Sequence, residues 1–287
     1  RVFLLTGDKY RHNKYQKVFE RYDFSYDCEN LDDILNSVNA DVTILTGAFD
    51  TNYNWNGEER ETVHFMSHLV NILVASSVAG KGRVIFLSSD EIYSGNCAND
   101  IEEDEPFSGS GQKADTLSQA EEMCENFRQN RNMDIVVLRL DHLYGIPKEK
   151  KDVDNIVSRM CLECMKDGHI KAELDHTFSA LDEKDAVEYI YQIVKTGHHK
   201  YVKYHLSSND IVSEMQLAAM VQKEIGGESN LVEVPGGSGR CVLSGRRFEE
   251  EFGMHAFGDI QKNVKRMTDY MKKHQAVFLN EDERRAP

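Results

Sequence analysis

Residues 83–95 read RVIFLSSDEIYSG, and this stretch decides the fold. The apolar run at 84–87 has the composition of a buried strand. It breaks into two serines, the second of which, Ser89, is followed by Asp90 and Glu91. In an open parallel sheet, ligands bind just outside the carboxyl ends of the strands. Ser89, Asp90 and Glu91 are therefore candidate catalytic residues. The alternative is a polar turn in which the two carboxylates cap a neighbouring helix or loop.

Strands and helices alternate on both sides of this stretch. Apolar runs predict strands at 2–5, 24–26, 41–46 and 134–140, and helical spacing predicts helices at 13–22, 31–38, 61–79 and 114–130. The apolar residues of 61–79 occupy more than one stripe, so we expect this helix to be covered on two sides. The alternation predicts an α/β fold, a doubly wound parallel sheet with helices on both faces.

The second half of the chain predicts a further α/β part. Helices are predicted at 153–166, 183–196, 215–225 and 260–273, and strand-like stretches at 170–181 and 201–206. We expect a main domain at 1–147 and a smaller α/β lobe at 148–287, interleaved with the first domain.

Composition excludes several classes of function. The chain has 287 residues, with 34 basic and 49 acidic side chains and a net charge of −15. This charge opposes binding to nucleic acid or to anionic lipid. The sequence has no long uninterrupted apolar run, so we expect a soluble, cytoplasmic protein without membrane insertion. Because residue 1 is Arg rather than Met and directly precedes a predicted strand, we expect either a trimmed chain or a piece of a longer protein.

The cysteines indicate a reducing compartment rather than a disulfide framework. Six cysteines are scattered through the chain. Cys161 and Cys164 form a Cys-x-x-Cys, but the surrounding stretch is helical and no second pair or histidine cluster accompanies it. We interpret them as buried helix cysteines and expect no metal site.

The order of motifs resembles the extended short-chain dehydrogenases, the NAD-dependent epimerase/dehydratase family that acts on nucleotide sugars. The motifs that carry the resemblance are Thr6-Gly7, DVTILTGA at 41–48, SSDEIYSG at 88–95, IEEDEP at 101–106, VLRL at 137–140, LYG at 143–145 and DAV at 185–187. In detail, 88–95 is similar to nucleotide-sugar 4,6-dehydratases, and the spacing before Asp41 is similar to dehydrorhamnose reductases. The resemblance implies a Rossmann-like nucleotide-binding domain.

The resemblance also implies cofactor-binding residues, which the sequence retains only in part. Gly7, Asp27, Gly47 and Ala48 correspond to positions that hold NAD(P) in the family. The glycine-rich first turn is incomplete, since Tyr10 and Asn13 stand where the family has glycine, and their side chains keep the pyrophosphate from the backbone. We therefore expect no NAD(P) binding or weak binding.

The catalytic pair of the family is also missing. Its Tyr-x-x-x-Lys motif falls on Asp115 and Gln119. By resemblance, Ser89, Asp90 and Glu91 would supply a hydroxyl, an acid and a base, but without hydride transfer to NAD the usual order of steps cannot start. Whether the chain is an enzyme stays open at this point.

Two arginines are candidate substrate-binding residues. Arg139, at the end of a predicted strand, either binds a sugar diphosphate or pairs with an acid. Arg246 lies in the second lobe, where family members bind the nucleotide sugar. We expect a degenerate, non-catalytic family member, a pseudoenzyme that binds a nucleotide sugar or a partner protein in surface-polysaccharide biosynthesis, as a monomer or weak dimer. The alternative is an active NAD(P)-dependent nucleotide-sugar epimerase, dehydratase or reductase with altered catalytic residues.

Overall fold

The structure is a computed structural model that describes residues 3–6, 20–23, 31–49, 55, 59–80, 82–93, 99–226, 230–253 and 258–279. Its helices are α1 (Leu31–Val38), α2 (Glu59–Ala79), α3 (Gln112–Arg131), α4 (Ile156–Asp167), α5 (Glu183–Lys195), α6 (Glu214–Ile225), α7 (Arg246–Phe252), α8 (Ile260–Lys273) and α9 (Gln275–Leu279). Its strands are β1 (Phe3–Thr6), β2 (Glu20–Asp23), β3 (Val42–Leu45), β4 (Arg83–Ser89), β5 (Asp134–Leu140), β6 (Leu143–Tyr144), β7 (His169–Glu173), β8 (Thr177–Ser179), β9 (Leu181–Asp182), β10 (Lys203–Leu206), β11 (Ile211–Ser213), β12 (Asn230–Val234) and β13 (Arg240–Cys241).

The predicted α/β class and parallel sheet are confirmed. One four-stranded sheet has the order β10-β5-β4-β3, and β3 pairs with β4 in parallel, with Val42 opposite Arg83. β1 pairs in parallel with β2. All seven residues of β4 are buried, as its apolar sequence predicts.

The chain forms two compact units, each built from separated segments. The first unit contains residues 1–87 and 115–137, and the second contains 88–114 and 138–287. Strands β4 and β5 therefore each pass from the first unit into the second near their carboxyl ends. The predicted domain boundary at residue 147 stays a prediction.

The second unit has its own apolar core. Buried side chains of α4, α6 and α8 pack around β7 and β8, and they include Cys161 and Cys164. The two cysteines are thus buried helix residues, as the sequence analysis expected. Gly168 ends α4 with a φ of 67°, a left-handed conformation that glycine adopts without steric cost.

The helix predicted at 13–22 was wrong at its C-terminal end. Residues 20–23 form β2, which pairs in parallel with β1 although Tyr22 continues a helical spacing. Residues 13–19 of that helix and the strand predicted at 24–26 lie outside the described residues.

Helix α2 packs against two neighbours. Its Ala75 and Ile72 pack with Leu31 and Leu35 of α1, and its Phe65 contacts Phe86 of β4 with ring centroids 6.4 Å apart. The expectation that this helix is covered on two sides is therefore supported, although Val63 and Val78 are exposed. Its segment Thr62–Ala79 is also long and apolar enough to cross a membrane. This is weak evidence for a membrane-spanning helix, because core helices of globular proteins meet the same criteria.

Candidate functional site

The candidate catalytic residues lie where β4 ends. Ser89 is the N-cap of a short 3-10 helix, Asp90–Ile92, and its Oγ accepts a hydrogen bond from the backbone nitrogen of Glu91 (3.3 Å). The same Oγ donates to Asp90 Oδ1 at 2.8 Å. Glu91 is exposed, and Lys113 Nζ lies 2.7 Å from its Oε1. The turn therefore holds Asp90 inside the second unit and directs Glu91 toward solvent.

Asp90 forms a cluster with Asp141 and His142, which follow β5 directly. His142 Nδ1 lies 2.6 Å from Asp90 Oδ2 and 3.2 Å from Asp141 Oδ1. Asp141 also accepts hydrogen bonds from the backbone nitrogens of His142 (3.0 Å) and Leu243 (3.0 Å). The cluster forms because β4 and β5 are neighbours in the sheet, so the residues after each strand meet at the same edge.

The surroundings of this cluster shift the pKa of each member. Burial acts to raise the pKa of Asp90, but the charge of His142 and the hydrogen bonds from His142 and Ser89 outweigh it and lower the pKa. Burial acts to lower the pKa of His142, but the two carboxylates raise it to about 10. Burial raises the pKa of Asp141 to about 6 despite the hydrogen bond from His142. At neutral pH, Asp90 and His142 therefore form an ion pair.

A second histidine–carboxylate pair lies beside the first. His176 Nδ1 is 3.1 Å from Glu214 Oε2, and Arg159 is 3.4 Å from Glu214 Oε1. The ring of His142 stacks on Phe178 with centroids 4.2 Å apart and lies 5.2 Å from the ring of His176. Aromatic contacts thus connect the two pairs.

Sequence reasoning missed Asp141, His142 and His176. The rule that selected Ser89–Glu91, polar residues directly after a buried strand, also applies to the Asp141-His142 pair after β5. His176 carries no comparable signal, because β7 and β8 flank it within a short strand-like stretch.

Arg139, a predicted substrate ligand, lies in the interior of the second unit with 0% exposure. Its guanidinium donates to the carbonyl oxygen of Glu103 (2.9 Å) and to the hydroxyl of Tyr93. It also lies 3.4 Å from His205 Nε2, and burial together with this guanidinium lowers the pKa of His205 well below its ordinary value. A ligand could reach Arg139 only if these neighbours moved.

Arg246, the other predicted substrate ligand, begins α7 and is exposed. It pairs with Glu102 (3.0 Å), which belongs to residues 100–105, here called the acidic segment. Arg240 pairs with Asp100 of the same segment, and Arg247 pairs with Asp104 at 2.6 Å. Within the second unit, the arginines of 240–247 thus hold the acidic segment against residues 240–247.

The predicted cofactor residues are only partly covered by the structure. Gly7 and Asp27 lie outside the described residues. In the first unit, Ala48 is buried, and a Cβ added at Gly47 would lie 3.0 Å from Phe65 Cε2. Packing against Phe65 is therefore enough to require a small residue at 47.

The sequence resemblance places the family's Tyr-x-x-x-Lys pair on Asp115 and Gln119, which lie on α3 and are exposed. Neither a carboxylate nor an amide reproduces a phenol that gives up a proton beside a lysine. These two side chains therefore do not fit the contacts that the family's tyrosine and lysine make to a nicotinamide ribose.

Comparisons with known proteins agree with this fold. The model of the NAD dependent epimerase/dehydratase family matches residues 3–205. No curated protein matches the chain in sequence.

Several solved structures share the fold at low identity. A dTDP-glucose 4,6-dehydratase from Bacillus anthracis, in complex with NAD, is 12% identical with a TM-score of 0.78, covering 92% of this chain and 84% of that one. A UDP-glucose 4-epimerase from Thermotoga maritima, with UDP-glucose, is 16% identical with a TM-score of 0.79, covering 90% and 86%. A dTDP-4-dehydrorhamnose reductase from Bacillus anthracis, in complex with NADP, is 15% identical with a TM-score of 0.68, covering 88% and 91%.

Proposed function

Because the chain belongs to the NAD-dependent epimerase/dehydratase family, we propose that it is a non-catalytic member that binds a nucleotide sugar. One observation carries this proposal: the resemblance places the catalytic tyrosine and lysine on Asp115 and Gln119, which are both exposed. Hydride transfer in this family needs a proton donor of phenol type beside a charged lysine. An ionised carboxylate and a neutral amide supply neither property.

The strand-end acids support the same proposal, because both are engaged by residues of this chain. Asp90 is 2.6 Å from His142 Nδ1, and Glu91 is 2.7 Å from Lys113. A general acid or base must be within hydrogen-bond reach of its substrate. Here each carboxylate must first lose its partner before it can act on a ligand.

The ligand class follows from the family and from one exposed arginine. The structural neighbours are named for reactions of dTDP-sugars or UDP-sugars. Arg246 keeps 66% of its side chain exposed although it pairs with Glu102, so its guanidinium can exchange this exposed carboxylate for a diphosphate, a group that arginine binds well. A role in surface-polysaccharide biosynthesis, in the cytoplasm, with a nucleotide sugar or a protein as partner, is part of this proposal. Binding of NAD(P) would be weak or absent.

The second candidate is an active NAD(P)-dependent epimerase, dehydratase or reductase with altered catalytic residues. The close contact between Asp90 and His142 favours it, since an acid and an imidazole beside Ser89 form a set that can hold and move a proton. Turnover distinguishes the two candidates.

Titration calorimetry combined with product analysis tests the proposal. We expect saturable binding of UDP-glucose or dTDP-glucose, no sugar conversion, and no NAD, NADH or NADP binding in the micromolar range. Arg246→Ala should weaken sugar-nucleotide binding, while Arg131→Ala, on α3, should not. Micromolar binding of a dinucleotide together with conversion of the sugar would instead establish the second candidate.

A further inference from the structure

The cluster of Asp90, Asp141 and His142 has a donor set that a divalent metal ion would use. One imidazole nitrogen lies within 3.2 Å of oxygens from two different carboxylates. That nitrogen carries a single proton, so it makes a full hydrogen bond with one carboxylate at a time. A cation that displaces this proton to solvent would interact with all three atoms at once.

The charges of the cluster favour a cation. The side chain of Asp90 is 9% exposed and that of Asp141 is 0% exposed. Within the described part of the chain, neither carboxylate has an ion pair with a lysine or arginine, and Lys113, whose charge acts on Asp90, is paired with Glu91. Two buried carboxylates beside one imidazole leave negative charge in the interior, which is costly unless it is neutralised.

The neighbouring histidine–carboxylate cluster is a poorer candidate for a metal site than the cluster of Asp90, Asp141 and His142. Glu173, His176 and Glu214 also bring three possible ligand atoms together. However, Arg159 lies 3.4 Å from Glu214 Oε1, and Glu173 accepts hydrogen bonds from the backbone nitrogens of Gly237 and Ser238. An arginine beside a ligand oxygen repels a cation. The carboxylates of this second cluster are therefore already stabilised by other groups of the protein.

We propose that Asp90 Oδ2, Asp141 Oδ1 and His142 Nδ1 form a binding site for a divalent transition-metal ion, with Zn²⁺ as the preferred ion. Mixed nitrogen and oxygen donors suit zinc better than magnesium or calcium. Three protein ligands leave a fourth position for water or a small ligand, and the side chain of His142 is 21% exposed, so solvent reaches the cluster. Ligand atoms around tetrahedral zinc lie about 3.4 Å apart, so Asp90 Oδ2 would move by roughly 1 Å. This site is independent of nucleotide-sugar binding.

Calorimetry on the full chain, treated with EDTA and dialysed, tests the site with ZnCl₂ as the probe. We expect one Zn²⁺ per chain, and at least about tenfold weaker binding in each of Asp90→Asn, Asp141→Asn and His142→Asn. His176→Asn and Asp100→Asn are matched controls and should bind Zn²⁺ as the parent chain does. MgCl₂ should not compete.

A second measurement keeps the test decisive if the buried variants unfold. His142 is partly exposed, so His142→Asn should fold, which circular dichroism checks. With Co²⁺ as probe, the parent chain should give a visible absorption band that His142→Asn lacks. Failure of Zn²⁺ to saturate the parent chain below about 100 µM, equal binding by His142→Asn, or loss of binding only in His176→Asn would each overturn the assignment.

Discussion

At the scale of single residues, the two arginines predicted to bind substrate lie in opposite environments. Arg139 is fully buried and donates to Glu103 and Tyr93, whereas Arg246 is exposed at the start of α7. Sequence alone did not separate them, because both are arginines at the end or start of an element. The two side chains differ in burial. The buried Arg139 therefore contributes more to the free energy of unfolding than the exposed Arg246 does.

Replacing each arginine by alanine should show this difference. Arg139→Ala removes a buried cation that holds the Glu103 carbonyl and the Tyr93 hydroxyl, so we expect a loss of at least about 2 kcal/mol in the free energy of unfolding. Arg246→Ala should change it by less than about 0.5 kcal/mol, since its ion pairs are exposed. Urea denaturation measures both, and equal effects would contradict the burial argument.

His68 gives a pH dependence with a defined sign. Burial and the nearby His64 lower its pKa from 6.5 to about 4 in the folded chain. The unfolded chain therefore binds a proton at a higher pH than the folded chain does. The stability from this residue is complete above pH 6.5 and decreases as the pH falls toward 4.

The variant His68→Gln isolates this contribution. The difference in unfolding free energy between the parent chain and the variant should change between pH 7.5 and 5, in favour of the variant at low pH. A parent–variant difference that is constant with pH would contradict the lowered pKa.

Single residues also show which part of the candidate site could be predicted from the sequence. Ser89, Asp90 and Glu91 were found because polar residues followed a strongly apolar strand. Their partners were not found: which side chains meet depends on β5 lying beside β4, and Asp141 and His142 lie between the motifs VLRL and LYG and were given no role.

At the scale of elements, strongly periodic segments were predicted well and a weakly apolar one was not. The predicted bounds of α1 and α8 agree with the structure, and β3, β4 and β5 lie where apolar runs were expected. Strand β2 (Glu20–Asp23) was not predicted, because ERYD has little strand signal of its own and depends on pairing with β1.

Helix α6 begins with a capping box that can be tested. Ser213 Oγ accepts from the backbone nitrogen of Gln216 (3.1 Å), and Gln216 Oε1 accepts from the backbone nitrogen of Ser213 (2.8 Å). Ser213→Ala should lower the free energy of unfolding by about 1 kcal/mol, which urea denaturation measures. Ser110→Ala makes the same change at an exposed loop position and is the matched control. A loss below about 0.3 kcal/mol would show that the cap contributes little.

At the scale of the whole molecule, the exposed surfaces of α2 and α3 affect whether two copies of the chain can form a stable dimer. Helix α3 exposes polar side chains such as Gln119, Glu122 and Gln129, whereas α2 exposes Val63 and Val78. A stable dimer needs a contiguous apolar interface of about 800 Å² on each partner. Polar α3 does not provide it.

We therefore expect the chain to be a monomer or a weak dimer. At about 10 µM, a dimer with a Kd in the millimolar range is almost fully dissociated. Light scattering coupled to size exclusion measures the mass. A dimer that persists, and that Val78→Lys dissociates, would contradict the expectation and assign the interface to α2.

Restoring one residue of the family's catalytic pair should change cofactor binding. Gln119→Lys adds a charged donor, and a hydrogen bond to a charged group contributes roughly 1.5–3 kcal/mol. We expect NAD to bind at least about tenfold more tightly than to the parent chain. Asn130→Lys adds the same charge elsewhere on α3 and should have no effect. Calorimetry that finds the two variants equal would show that residue 119 does not face the dinucleotide.

The fastening of the acidic segment also determines when the second unit can fold. Glu102 and Arg246 are 144 residues apart in the chain, and the backbone of Ile101 bonds to Val242 across a similar separation. Closing a loop of that length costs about 4 kcal/mol of chain entropy, which must be overcome before the contacts form. During synthesis, residues 88–114 must wait until 240–247 have left the ribosome. A chain cut before residue 240 would leave the acidic segment and its buried neighbours uncovered, a nascent species that chaperones and proteases recognise.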